Sequence, residues 1–283
     1  MKIREKIFRG GLMATMLFLL GAGSAHGQVD FTQDTLECHI VGFNFGIKAP
    51  SAAFSHVRDM NGNLTKEGTM ASLYKAPYLE YGINWLYKFK SNWVLNLDGN
   101  LWMGSDNLKL RQERMSNVYS RDSIVISGGG YDAGVSCFNR GISLQVGGGK
   151  IFPLDMKKNP NSGILARLYG GYMLQQSIFY CNEAEAHQVM GDYALLYDHQ
   201  RSGWLLTEGV GYWFMSNNLN LLNLYVELSV QQCWSHSTRD YMIDNLLDMH
   251  GKDNNRYFDM LYMLKVCWMF PLRGKQAHDL YFY

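Results

Sequence analysis

Net charge and proline are both scarce in this sequence, and each shortage restricts what the protein can be. The formal net charge is +1 and no basic run is present, so the charge pattern gives no reason to expect a nucleic-acid partner. Only 5 prolines accompany 29 glycines, and aromatic residues make up 14% of the chain. This mixture favours strands with bends over helices. We therefore predict a β-rich protein that does not bind nucleic acid.

Long hydrophobic runs are also missing after Gln28. A membrane-spanning helix needs about 20 consecutive apolar residues, and no stretch of the remaining chain approaches that length. The mean hydropathy is slightly negative at −0.19. Helical membrane proteins do not have this hydropathy, whereas membrane barrels do, because half of each barrel strand is polar. The mature chain is thus expected to be periplasmic, secreted or a barrel.

Cysteine motifs for metal or redox chemistry are absent as well. No CxxC and no Cys/His spacing occurs, so we predict neither a metal site nor a cofactor. If the chain is exported, an odd number of cysteines leaves at least one of them unpaired within it. We interpret most of the five as small apolar side chains that fill space. The five are Cys38, Cys137, Cys181, Cys233 and Cys267.

The N-terminus has the features of a secretory signal. An apolar segment from Leu12 to Ala22 precedes Ala25-His26-Gly27, which offers small residues at both positions that a signal peptidase reads. We expect residues 1–27 to be a signal peptide cut before Gln28; an anchor helix would need a longer apolar run. Lipoprotein processing is not expected, because no cysteine lies at the cleavage point. The basic residues ahead of the apolar segment are Lys2, Arg4, Lys6 and Arg9.

The clearest strand pattern runs from Arg256 to Phe270. Read with a period of two, one face is wholly apolar and the other carries Asp259 and Lys265. A soluble sandwich strand could alternate similarly, but hydrocarbon outside and a small polar lumen inside fit this face better. The predicted outward residues are Phe258, Met260, Tyr262, Leu264, Val266, Trp268 and Phe270.

Seven further segments alternate in the same way, and the connections between them alternate long and short. This asymmetry is typical of outer-membrane barrels. We predict an all-β protein: an eight-stranded antiparallel transmembrane β-barrel over residues 37–270, with long extracellular loops and short periplasmic turns. Residues 28–36 would be a periplasmic lead-in and 271–283 a periplasmic tail. The earlier segments are Glu37–Ile47, Tyr78–Lys88, Asn92–Gly104, Gly141–Ile151, Ile164–Phe179, Trp204–Phe214 and Leu221–Cys233.

Two stretches are ambiguous. We interpret 105–139 as a large loop in which SIVISGGGYDAGVSC could form an extra hairpin. The glycine run Gly147 to Gly149 is interpreted as a barrel bend; a phosphate-binding loop is the alternative, but no Lys-Ser/Thr pair or helix follows it.

Several motifs resemble a widespread, mostly uncharacterised family of small outer-membrane β-barrel proteins of Bacteroidota. They are YKFKSNW (87–93), NRG followed by GGGKIFP (139–153), NPNSG (159–163), GVGYWFMSNN (209–218) and the tail WMFPLRGKQAHDLYFY. The chain departs from that family after the fifth strand, where Leu196-Tyr197-Asp198-His199 replaces a Gly-Tyr-Asp-Arg run. The resemblance implies an outer-membrane barrel and no activity.

An eight-stranded barrel encloses a lumen that side chains fill, so inward charges should pair and plug it. A proton or ion path is the alternative. The acids outnumber the bases in this prediction, which leaves some acids without a cation. The predicted lumen charges are Glu80, Asp98, Arg167, Glu208, Glu227, Asp259 and Lys265.

Three other candidate sites are weaker. Cys38 and Cys267 both face inward on neighbouring strands and could form a disulfide. His236 and Ser237 lie at the outer rim, where small lipid A deacylases carry a Ser and a His; a solvated rim is the interpretation we prefer. The acids that could orient the histidine are Glu183, Glu185, Asp240 and Asp244, and the tryptophans that could form an interfacial girdle or a sugar-binding surface are Trp85, Trp93, Trp204, Trp213 and Trp268.

We predict a non-enzymatic outer-membrane protein with a plugged lumen, either structural or an accessory subunit of an envelope complex. The alternative is a lipid A-modifying enzyme, and the third candidate is a narrow channel. Expected partners are outer-membrane lipid and lipopolysaccharide, the barrel-assembly machinery during insertion, and a protein partner in an envelope complex. No cofactor is expected.

Overall fold

The structure is a computed structural model that describes residues 35–51, 53–67, 77–105, 108–121, 124–155, 159–181, 186–216, 223–245 and 247–272. The predicted signal peptide and most of the predicted tail lie outside these residues. The described residues form twelve strands: β1 (Cys38–Pro50), β2 (His56–Arg58), β3 (Leu64–Glu67), β4 (Tyr78–Lys88), β5 (Trp93–Ser105), β6 (Ser136–Asp155), β7 (Asn159–Tyr180), β8 (Gln200–Met215), β9 (Asn223–Ser237), β10 (Met242–Asp244), β11 (Met249–Gly251) and β12 (Arg256–Leu272).

Eight of these strands close into an antiparallel barrel. The order is β1-β4-β5-β6-β7-β8-β9-β12, and β12 pairs back with β1 along Ala49↔Tyr262 and Val41↔Phe270. A row of paired residues that starts at His39 on β1 and passes through every strand returns to β1 at Ala49, ten residues further along. This stagger is the shear that a closed sheet of tilted strands requires. The eight-stranded prediction is confirmed.

The outer face of the barrel is apolar, as expected for a transmembrane β-barrel. On β12 the alternation is the predicted one, with Tyr262, Leu264, Val266 and Trp268 exposed while the residues between them are buried. The same pattern recurs around the wall. Exposed outward residues on the other strands include Phe43, Phe45, Ile83, Leu95, Leu97, Ile142, Leu144, Leu168, Val210 and Leu228.

Several strands are longer than predicted. β1 continues through Lys48 to Pro50, β6 begins at Ser136, and β8 begins at Gln200. The polar residues at these ends look like loop residues in the sequence, yet they keep the alternation of their strands. Among the described residues, no helix has both the length and the apolar character required to cross a membrane.

The glycines Gly147 and Gly149 lie inside β6, which supports a role in the barrel wall. A Cβ atom built on Gly147 would lie 2.4 Å from the Cβ of Tyr169, and one on Gly149 would lie 2.6 Å from the Cγ of Arg167. Such approaches are far inside van der Waals contact, so only glycine leaves room for these two large inward side chains.

The long loops gather at one end of the barrel. β2 and β3 form a ribbon that extends the edge of β12, where His56 pairs with Phe258. The second long loop carries helix α1 (Leu108–Arg114) and a small hairpin closed by Ile126↔Asp132, as the sequence suggested. The third carries helix α2 (Ala194–Tyr197), and the fourth carries the β10–β11 hairpin. These last three loops share an apolar core that includes Met115, Val125, Val189 and Tyr197.

Candidate functional site

The floor of the barrel interior, at the short-turn end, is mostly apolar. Trp213 stacks on Tyr225 with ring centroids 5.7 Å apart, and both side chains are excluded from solvent. Other floor residues include Ile40, Leu86, Val94, Ile151, Leu165 and Met269. Trp213 therefore faces inward, so it does not belong to the predicted girdle. Of the other four tryptophans, Trp93, Trp204 and Trp268 are exposed and Trp85 is half-buried on the outer face.

Above the floor lies a cluster of six charged side chains that we call the lumen network: Lys48, Glu80, Asp98, Arg167, Glu227 and Lys265. Arg167 Nε donates to Glu227 Oε2 at 2.6 Å, and the Tyr169 hydroxyl donates to Glu227 Oε1 at 2.8 Å. The ammonium of Lys265 lies 3.6 Å from Glu80 and 3.7 Å from Asp98, and Lys48 forms a short ion pair with Glu80. Five of the six residues are 0% exposed and Arg167 is 4% exposed.

Neutral polar side chains surround the lumen network. Asn84 Nδ2 donates to Asn44 Oδ1 at 3.0 Å and to the Tyr225 hydroxyl at 2.8 Å. Thr207 Oγ1 donates to Gln145 Oε1 at 3.0 Å on the neighbouring wall. These bonds cross between strands that are far apart in sequence, so the polar layer is tied across the whole interior. Buried polar groups with such partners stiffen a core.

Five predicted lumen charges, Glu80, Asp98, Arg167, Glu227 and Lys265, are thus brought together. Asp259 also faces inward but lies nearer the long loops, where its Oδ2 is 3.7 Å from Arg201 Nη1. An apolar layer separates the two levels; it consists of Tyr78, Trp102, Met173, Leu205, Cys233 and Leu261.

Glu208 was assigned to the wrong face. The structure places it on the exposed outer side, opposite Leu168 of β7 and Val230 of β9. Both faces of β8 mix large apolar residues with glycine or polar ones, so hydropathy alone does not fix which face is inward. The pairing with β7 and β9 does, because directly opposite residues share a face of the sheet.

Three inward cations were missed among the predicted lumen charges. Lys48 and Arg201 lie inside the barrel, at 0% and 1% exposure, although both were placed in loops. Lys88 also points inward, at the floor, where its Nζ donates to Leu36 O at 2.9 Å and to Asn161 Oδ1 at 3.0 Å. Among the described barrel residues, four inward acids (Glu80, Asp98, Glu227 and Asp259) therefore accompany five inward cations (Lys48, Lys88, Arg167, Arg201 and Lys265), so the apparent excess of acid disappears. The period-two alternation would have found the two residues placed in loops, since Lys48 is in phase with Asn44 and Arg201 is in phase with Leu205.

The predicted Cys38–Cys267 disulfide is wrong. Cys267 pairs with Asn44, which lies six residues from Cys38 along β1. At about 3.3 Å per residue this separation is roughly 20 Å, far beyond the distance that a disulfide spans.

His236 and Ser237 do not form a catalytic pair. They are adjacent residues of β9, and the alternation of the strand puts the exposed His236 on the outer face and Ser237 on the inner one. Ser237 Oγ instead accepts a hydrogen bond from the Arg239 backbone. Of the acids considered with them, Asp244 is buried among the loops, Asp240 is exposed, and Glu183 and Glu185 lie outside the described residues.

A second charged group closes the long-loop end, and we call it the cap cluster: Arg114, Asp198, His199, Arg239 and Asp244. Asp244 Oδ2 lies 3.6 Å from Arg114 Nε and 3.7 Å from His199 Nε2, which joins three loops. Asp198 forms a short ion pair with Arg239 and accepts a hydrogen bond of 2.7 Å from Gln176.

Burial shifts the titration of two cap residues in directions that favour their neutral forms. It holds the pKa of His199 well below the ordinary 6.5, and the positive charges of Arg114 and Arg201 act in the same direction. Burial also raises the pKa of Asp198 above 3.8, although its bonds to Gln176 and Arg239 oppose the shift. The cap is therefore closed with a neutral imidazole at neutral pH.

No protein-family model and no curated protein sequence matches this chain. Among solved structures it is similar to Ail of Yersinia pestis in complex with the heparin analogue sucrose octasulfate, at 12% identity and a TM-score of 0.37, over 82% of this chain and 99% of that one. It is also similar to OprG of Pseudomonas aeruginosa, at 11% identity and a TM-score of 0.34, over 84% and 99% of the two chains. At these scores the likeness carries no functional inference, and the fold rests on the strand pairing itself.

Proposed function

We propose that the protein is a non-enzymatic integral outer-membrane β-barrel with a plugged lumen, acting as a structural or accessory subunit of an envelope complex. The long loops would face the cell exterior, and the short turns and both ends of the barrel sequence would face the periplasm. The apolar outer wall supports placement in a bilayer, and the alternation of long and short connections supports this orientation.

The observation that carries the proposal is the lumen network, enclosed between two apolar layers. Its cations and acids contact one another and are excluded from solvent. A conducting pore needs a continuous aqueous path, and eight strands enclose only enough space for side chains. The opposite charges lie 2.6 to 3.8 Å apart and largely neutralise one another, which weakens their attraction for a passing ion.

The loops support a role in binding a partner. Three of them share an apolar core and the cap cluster, so they form an ordered surface over the barrel mouth. Loops that only connect strands need no such core. A protein partner or lipopolysaccharide would meet this surface first.

Conductance in planar bilayers tests the plug. The purified full-length protein is expected to give no stepwise conductance, while a general porin reconstituted in parallel gives clear steps. Steps that scale with protein concentration would favour the narrow channel instead.

A gentle-detergent pull-down of the tagged protein from native outer membranes, with mass spectrometry, tests the accessory role. One stoichiometric companion is the expected result, and recovery of a lone monomer would refute the accessory role. The proposal also includes a signal peptide over residues 1–27, a periplasmic lead-in and a periplasmic tail. It further includes a relationship to the small outer-membrane barrel proteins of Bacteroidota. N-terminal sequencing of the mature protein tests the signal peptide, and a sequence that begins at Gln28 would support it.

A further inference from the structure

Among the described residues, the outer wall carries one carboxyl group at mid-height among apolar residues, that of Glu208. Its flanking residues on the same face of β8 are Leu206 and Val210, and its cross-strand neighbours are Leu168 and Val230. Glu208 is exposed, and it forms no hydrogen bond or ion pair with any of the described residues. The charges of the lumen, by contrast, are paired.

The depth of Glu208 follows from the aromatic residues of its own strand. Trp204, whose ring packs edge-on against Tyr172 at 5.4 Å, lies four residues toward the long loops, and the exposed Tyr212 lies four residues toward the short turns. Aromatic residues of barrels mark the two interfaces of the bilayer. Glu208 is therefore about 13 Å of strand from either interface. At the usual strand tilt this is a depth of about 10 Å, too far for its short side chain to reach water.

An ionisable group in this position raises the free energy of the isolated barrel, whether it is charged or is a neutral carboxyl without a partner. The surroundings offer a place for a partner to approach. Ala166 and Gly170, on either side of Leu168, leave little side-chain bulk beside Glu208, and Gln232 adds a second polar group one step nearer the loops.

We propose that the outer face of β7, β8 and β9 around Glu208 is a docking surface for a second integral membrane protein, which places a Lys or Arg side chain at this depth. This inference rests on the proposed accessory role and names the surface that would serve it. Charge complementarity selects the partner: a cation would neutralise the carboxylate where water cannot. A second copy of this chain, related by a twofold axis, would instead bring two carboxyl groups together. Lipid headgroups do not reach this depth.

Site-specific photo-crosslinking in native outer membranes tests the proposal. A photoreactive residue replaces Val210, beside Glu208, in the full-length protein; the matched control replaces Ile83, an exposed outward residue of β4 on the opposite wall. The expected result is one heterologous adduct at position 210 that is absent at position 83, with a Lys or Arg in the crosslinked segment. A dimer of this chain, or no adduct at either position, would overturn the proposal.

The variant E208L separates docking from folding. Leucine matches the neighbouring lipid-facing residues, so the barrel should resist denaturant at least as well as the wild type, while the adduct at position 210 falls at least tenfold. E208Q keeps a hydrogen-bonding group and should retain part of the adduct. An undiminished adduct in E208L would show that the carboxyl group does not hold the partner.

The pull-down, repeated with E208L, distinguishes this failure from that of the proposed function. If the companion of the wild-type protein co-purifies equally with E208L, the accessory role stands and the β7–β9 surface is rejected. If the wild-type protein has no companion, the accessory role itself is rejected, and this surface with it.

Discussion

The lumen network and the cap cluster are built from the same kinds of side chain, but they are held by different frameworks. The six residues of the lumen network lie on β1, β4, β5, β7, β9 and β12, and each of these strands is hydrogen-bonded on both sides within the closed ring. The residues of the cap cluster lie on α1, on the β10–β11 hairpin and on the loop segments that flank β8 and β9. Arg239 in the cap keeps 23% of its side chain exposed, whereas every ion pair among the lumen residues is excluded from solvent.

This difference indicates what each cluster can do. Opening the lumen network requires breaking strand pairs of the wall, so its charges behave as part of the core. The cap cluster can open by moving loops while the barrel stays intact. The lumen network is thus expected to be static, and any response to the surroundings should be confined to the loops that carry the cap cluster.

The largest effect is expected from Lys265→Met. This change removes the cation between Glu80 and Asp98 and leaves two buried acids with less compensation, so the barrel should lose about 3–5 kcal/mol of unfolding free energy. Urea unfolding in lipid vesicles, followed by tryptophan fluorescence, measures it. Lys150→Met, on the outer face of β6, is the matched control and should change little. A loss below about 1 kcal/mol in the lumen variant would show that the network is hydrated.

A smaller and local effect is expected from Asp244→Asn. The loss of the acid between Arg114 and His199 should favour opening of the cap by about 1–3 kcal/mol, with barrel unfolding unchanged. Hydrogen exchange should therefore speed up in residues 108–121 and 186–199 but not in the strands. Asp192→Asn serves as the control, because Asp192 is an exposed acid in the loop between β7 and β8 and lies outside the cap cluster. Equal acceleration in the strands would mean that cap and wall unfold together.

The smallest effect is the pH response of the cap. Because the pKa of His199 is held below 6.5 in the closed cap, the open cap binds more protons once the pH falls below 6.5. Closure should weaken there, by at most about 1.4 kcal/mol per pH unit for one group. Asp198 acts with the opposite sign and at lower pH, since its raised pKa makes the closed cap the better proton acceptor just above 3.8.

Hydrogen exchange of the cap at pH 7 and pH 5.5 measures this response. The wild-type cap should exchange faster at the lower pH after correction for the intrinsic rate, and His199→Gln should remove the difference. Persistence of the difference in His199→Gln would assign it to another group.

The closed barrel was predictable because lipid outside and packed side chains inside impose opposite demands on alternate residues. The stretch from Arg256 to Phe270 satisfies both demands along its length, and the structure reproduces its two faces residue by residue. Five of the seven predicted lumen charges meet in one cluster for the same reason. The strand ends were harder, because Lys48 and Arg201 look like loop residues when only their polarity is considered.

The alternation within each strand, the even number of barrel strands and the unequal connections follow from the amino-acid sequence alone. The inward face of β8 does not follow from local hydropathy, because it depends on the hydrogen-bonded register with β7 and β9, which the three-dimensional structure supplies. The same holds for Cys38 and Cys267, which the register separates by six residues. The local pattern indicates which residues suit lipid and which suit the lumen. Shear and register determine the depth of each residue in the barrel and its neighbours on the adjacent strands.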